Sequence, residues 1–124
     1  MEEGPRGGSV FRSKTLNKLA DKQTLIMVFQ QGKKIVSEPF VFFFLRNHSE
    51  IPRYAIYTNK KYGTAVSRNR AKRMLRSALQ HLSDGLGNYS MIFIPRRKMK
   101  TLTFWQIVDE MQKIFISTGI SKSR

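Results

Sequence analysis

The chain contains no cysteine, which removes disulfides, thiolate nucleophiles and sulfur-held metals. Histidine is nearly as scarce: His48 and His81 have no second ligand at metal-binding spacing, so both are expected as surface residues. Acidic residues number 8 in 124 positions: Glu2, Glu3, Asp21, Glu38, Glu50, Asp84, Asp109 and Glu110. Only Glu2 with Glu3 and Asp109 with Glu110 are close in sequence, and adjacent helix positions diverge. A catalytic carboxylate pair, a nucleophile with its base or a protein-built metal cage is therefore not supported, and no catalytic or metal residue is assigned. Long apolar runs are also missing. The longest, Phe40 to Leu45, is far too short to span a bilayer, and no basic segment followed by a hydrophobic one opens the chain. The expectation is a cytoplasmic protein with no membrane partner and no small-molecule substrate.

What is abundant is positive charge. Lys and Arg number 23, for a net charge of +15 and a pI near 10.7, which makes polyanions the expected partners. A chain of this length fits one domain with one core. The charge concentrates in NKKYGTAVSRNRAKRMLRSALQHL, Asn59 to Leu82. Lys60, Lys61, Arg68, Arg70, Lys72, Arg73 and Arg76 occur there with no acid between Lys60 and Arg76. In its second half Ala71, Met74, Leu75, Ala78, Leu79 and Leu82 fall at i, i+3, i+4, i+7, i+8 and i+11, one apolar stripe of a helix. Arg68, Asn69, Lys72, Arg73, Arg76 and Gln80 spread over the opposite face, with Arg70 on its flank. A merely solvated face mixes signs, because like charges at i, i+4 destabilise a helix. Arg68, Lys72 and Arg76 form an unrelieved basic row instead, which reads as a helix anchored by one side and presenting guanidinium groups to phosphates.

Residues 1–12, rich in glycine, read as a mobile N-terminal arm, 13–117 as one RNA-binding domain and 118–124 as a flexible basic tail. Asp21 is an N-cap candidate for a helix to Gln31 that Gly32 stops. Lys33 to Arg46 is rich in β-branched and aromatic residues and gives two strands, Lys33 to Ser37 and Phe40 to Leu45, or one bent at Pro39. In the second, Phe40, Phe42 and Phe44 share one face and Val41, Phe43 and Leu45 the other. Such a strand is covered on both sides, or one face awaits a ligand. Arg53 to Thr58 and Tyr89 to Ile94 read as strands, with the basic helix, Ala65 to Leu82, between them; that spacing allows a parallel crossover. A second basic cluster follows at Arg96, Arg97, Lys98 and Lys100. Thr103 and Gln106 form a capping box for a last helix, Phe104 to Ile116, with Phe104, Val108, Met111 and Phe115 inward. Trp105, beside that stripe, is expected to pack. The order α-β-β-β-α-β-α predicts an α+β two-layer sandwich on a three- to four-stranded mixed sheet. A basic cluster beside aromatic-rich strands favours RNA over duplex DNA, because unpaired bases stack on aromatic rings.

The stretch NKKYGTAVSRNRAKRMLR resembles the signature of the bacterial ribonuclease P protein family, of the form SKKxGxAVxRNRxKRxxRE. LADKQTLIMVFQQGKK, YSMIFIPRR and LTFWQI resemble that family's first helix, a strand and its capped helix. The resemblance spans roughly Lys18 to Ile116. It implies a ribosomal protein S5 domain 2-like fold whose crossover is left-handed, against the general rule. It also implies that the partners are a catalytic ribonuclease P RNA and precursor tRNA, and that Mg²⁺ is held mainly by that RNA and the substrate. On this likeness Lys60, Lys61, Arg68, Asn69, Arg70, Lys72, Arg73 and Arg76 would contact the catalytic RNA. Leu25, Phe29, Val41, Phe43 and Tyr57, joined by Arg68, would line a cleft for the 5′ leader of the precursor. The chain departs from the family pattern at Leu25, usually Phe; at Tyr57 and Asn59, usually small; and at Gln31, Pro95 and Trp105. Tyr57 either restores an aromatic surface or partly fills the cleft. A ribosomal-type RNA-binding protein and a protein-only nuclease are the competing readings. The first predicts RNA binding without cleavage and the second Mg²⁺-dependent cleavage by the chain alone.

Overall fold

The computed structural model describes residues 17–18, 21–47 and 51–121. The N-terminal arm and His48 lie outside these residues. Helix α1 spans Lys22–Gln31, where Asp21 accepts a hydrogen bond from the Gln23 amide and one from the Thr24 hydroxyl. These bonds hold the Asp21 carboxyl below its ordinary pKa, the Thr24 hydroxyl contributing most. Gly32 then ends the helix with an ordinary φ of −75°. Its need for glycine is close approach: a Cβ there would lie 2.5 Å from the Val28 carbonyl oxygen and 2.7 Å from that of Phe44.

Strands β2 (Lys33–Val36) and β3 (Phe40–Arg46) form an antiparallel hairpin. Pro39 sits in the turn, outside both ladders, so the two-strand alternative is the observed one. Strand β4 (Arg53–Ile56) leads to a 3₁₀ turn (Lys60–Tyr62), then helix α2 (Ala65–His81), strand β5 (Tyr89–Pro95), a 3₁₀ segment (Arg97–Thr101) and helix α3 (Phe104–Thr118). The β4 strand stops short of Thr58. A two-residue strand, β1 (Asn17–Lys18), pairs in parallel with β4, giving the order β1-β4-β5-β3-β2. β4 and β5 are neighbours and parallel, joined through α2, while β5 and β3 are antiparallel. This is the α+β mixed sheet expected, with a short extra edge.

The pleat sorts the phenylalanines. Phe40, Phe42 and Phe44 are buried, with Met91 and Phe93 opposite them on β5. Their face packs against α2 and α3: the Phe42 and Phe93 rings lie 5.8 and 6.4 Å from Phe115. The stripe of α2 is buried at Ala71, Leu75, Ala78 and Leu79, and that of α3 at Ile107, Val108, Met111, Ile114 and Phe115, with Phe104 at its edge. The other face has one helix, α1, whose Val28 is fully buried, as is Ile92 of β5, while Val41, Phe43 and Leu45 are only half-buried. The sheet therefore has one closed and one partly open face.

The C-terminal boundary needs correction. Helix α3 runs to Thr118, Gly119 turns the chain with a φ of 83°, and Ile120 is 2% exposed in the core. The Ser121 amide donates to the Phe115 carbonyl. The domain thus extends through Ser121, because one apolar residue beyond the helix cap has a place in the core.

Candidate RNA-binding surface

The open sheet face gathers the aromatic residues of three elements. Residues of β4 and β5 register with β3 so that Phe43, Ile92 and Ala55 share this side; two residues beyond Ala55, Tyr57 follows the same parity. Its amide donates to the Phe93 carbonyl at 2.9 Å, which extends the pairing beyond the end of β4. Phe29 of α1 meets Phe43 edge-on at 4.9 Å and Tyr57 at 6.5 Å. Phe29 is 39% and Tyr57 60% exposed, so Tyr57 enlarges the aromatic surface instead of filling it. Leu25 and Val41 are half-buried. Lys34, paired with Phe43 across the β2–β3 hairpin, has its ammonium 5.8 Å from that ring's centre. Lys34 was legible in the sequence only through its alternation with Ile35 in a strand beside the phenylalanine run that carries Phe43.

α2 presents the charge. Thr64 caps it by accepting a hydrogen bond from the Ser67 amide. No acidic residue occupies the first turn, although negative charge is what a helix N-terminus favours. Asn69, Arg70, Arg73 and Arg76 are exposed, while Arg68 and Lys72 are half-buried. Among the described residues no carboxylate pairs with a cation of α2; the ion pair Asp109 to Lys113 lies along α3. Lys60 and Lys61 stand exposed on the 3₁₀ turn that Asn59 caps through the Lys61 amide. Gly63 follows with a φ of 156°, and Arg68 folds back to donate from Nη1 to the Gly63 carbonyl at 2.9 Å. Arg68 thus braces the entry to its own helix, and its engaged nitrogen is not free for phosphate.

Two residues stand otherwise than expected. Trp105 is 62% exposed and touches only along an edge, meeting His81 at 5.0 Å and Phe104 at 4.9 Å. Arg96 of the second basic cluster secures the β2–β3 turn, donating to the Ser37 carbonyl at 2.7 Å. Among the described residues no three His, Asp or Glu side chains gather as a metal cage, and no helix is long and apolar enough to cross a membrane.

The sequence model of the family described as Ribonuclease P matches residues 14–119. The chain is 37% identical over 87 residues to the Ribonuclease P protein component of Carboxydothermus hydrogenoformans, covering 68% of this chain and 75% of the relative. With the protein of that name from Bacillus velezensis the identity is 31% over 110 residues, covering 88% and 95%. The structure of the Staphylococcus aureus RNase P protein superposes with a TM-score of 0.76 at 22% identity, covering 85% of this chain and 97% of that one. The Thermotoga maritima RNase P protein gives 0.71 at 24%, covering 78% and 93%. These two likenesses speak for the fold, and the sequence matches speak for descent: the chain belongs to the ribonuclease P protein family.

Proposed function

We propose that this chain is the protein subunit of a bacterial ribonuclease P, a cytoplasmic ribonucleoprotein whose RNA carries the catalytic centre and which removes the 5′ leader from precursor tRNA. The observation that carries this reading is the pairing of an unrelieved basic helix with a half-open aromatic sheet face, in a member of that family. Each part suits a different piece of RNA. Phosphates of a folded RNA meet Asn69, Arg70, Lys72, Arg73 and Arg76 on α2, with Lys60 and Lys61 at its entry; Arg68 mainly sets the backbone that aims them. Unpaired leader bases stack on Phe29, Phe43 and Tyr57, beside Leu25 and Val41, while Lys34 meets the backbone at the edge.

The role is that of a cofactor for RNA. Positive side chains neutralise phosphates where catalytic RNA and substrate approach one another, which lowers the repulsion between them. On this reading Mg²⁺ is held mainly by the RNA and the substrate, and the protein acts by binding and placement.

The test compares two substrates that differ only in the leader. Phe29→Ala or Phe43→Ala in the reconstituted holoenzyme should weaken binding of precursor tRNA by roughly 5- to 150-fold, one stacked base being worth about 1–3 kcal/mol. Mature tRNA should bind as to wild type. Equal losses for both tRNAs would remove the leader from this face.

A further inference from the structure

Beside α2, a concavity of about 180 Å³ opens between the helix and the 3₁₀ segment Arg97–Thr101. α2 packs with α3 on the closed face of the sheet, opposite α1, so this groove is separate from the aromatic face. Tyr62, Met74, Met99 and Leu102 give it apolar walls, and Ser67, Arg70 and Lys100 line it with polar groups. The Lys100 ammonium lies 4.9 Å from the centre of the Tyr62 ring. Gly63 keeps the mouth clear: a Cβ there would stand 2.7 Å from Ser67 Oγ and 2.9 Å from Lys100 Nζ.

We infer that this groove receives one extruded, unpaired nucleotide of the ribonuclease P RNA, a contact separate from the leader surface; the inference rests on the RNA-docking reading of α2. Size, chemistry and charge select that occupant. The volume is well below the roughly 300 Å³ at which drug-sized pockets begin, and suits one base. Methionine side chains adapt to flat rings of different outline, so the walls accept a base without demanding one identity, while Ser67 Oγ, whose hydroxyl donates to the Thr64 carbonyl, keeps acceptor capacity for a hydrogen bond at its edge. The two charged lining residues are both cations, Arg70 and Lys100, and no carboxylate lines the groove. An apolar slot with a cationic rim matches a nucleotide, whose base is flat and whose phosphate is anionic. Continuity with the exposed basic face of α2 places the slot where a docked RNA already lies.

Two variants of the full chain test this with a bacterial ribonuclease P RNA that the wild type binds. Met74→Trp fills the slot, and a thermal melt verifies that it folds. Lys100→Ala removes an exposed rim cation and leaves the core untouched. Met74→Trp should lower RNA affinity roughly 5- to 150-fold, the range of one lost base contact, and Lys100→Ala should reduce the salt slope by about one unit. In chemical probing, one unpaired nucleotide protected by wild type should become reactive with Met74→Trp while the rest of the footprint persists. Wild-type affinity and an unchanged footprint for both variants would overturn the groove and leave α2 docking standing. Protection of the precursor leader instead would assign the groove a different occupant, and failure of the wild type to bind any ribonuclease P RNA would remove both readings.

Discussion

Gly32 fixes the approach of α1 to the sheet, and with it the width of the aromatic surface. Two backbone carbonyls, of Val28 and Phe44, meet where its Cβ would be, and neither can yield as a flexible side chain would. Gly32→Ala should destabilise the fold by about 1–3 kcal/mol, as overpacking does, measured as a lower denaturation midpoint; an unchanged midpoint would show that α1 shifts freely. Tyr62 offers a titration. Burial raises its phenol above the ordinary 10.0, with Arg70 opposing. Since the folded value exceeds the unfolded one, the buried neutral phenol contributes its full stability below about pH 10 and loses it as pH rises through the folded value. Thermal stability should fall above pH 10, and Tyr62→Phe should flatten that fall. Residue by residue, the sequence disclosed identities better than surroundings. The alternation of Phe40 to Leu45 reveals two apolar faces, but which one stays half-open depends on helices elsewhere in the chain. Trp105 sits beside a buried stripe, and a shift of one position on a helix separates packing from exposure.

At the scale of elements, α2 carries a cost that a solitary helix would avoid. Arg68, Lys72 and Arg76 repel along one row, and cations near its N-terminus oppose the helix dipole. Bound phosphate relieves both. Arg73→Ala and Arg76→Ala, exposed and clear of the core, should each weaken RNA binding while leaving the melting temperature nearly unchanged. A loss of stability matching the loss of binding would make them structural. The three helices were legible because their signals are local: Asp21 caps α1, a repeating stripe marks α2, and Thr103 with Gln106 forms the capping box of α3. Elements defined by distant partners were not. β1 is two residues long and exists through its pairing with Arg53 and Tyr54, and Ile120 joins the core only because α3 delivers it there.

The whole molecule is an unevenly covered sheet. Two helices close one face, while α1, at ten residues about 15 Å long, shields the other incompletely against strands of up to seven residues, about 23 Å. That imbalance, added to a net charge of +15, gives one small domain both a half-open aromatic surface and an exposed basic helix. If about six phosphates are neutralised, affinity for RNA should fall roughly 10³-fold between 50 and 200 mM salt, which a titration at several salt concentrations would measure. The fold class and the parallel pairing of β4 with β5 were within reach of the sequence because the spacing from Arg53 through α2 to Tyr89 has room for a crossover; the strand order was not. The layout of the surface was not, since it depends on register between strands distant in the chain.

On the proposed function, this protein enables an RNA to cut RNA. Its most direct test is cleavage of 5′-labelled precursor tRNA at low Mg²⁺ by the chain alone, by a bacterial ribonuclease P RNA alone and by the two together. Cleavage at the mature 5′ end is expected only in the mixture. Cleavage by the chain alone, or a mixture no better than the RNA, would contradict it.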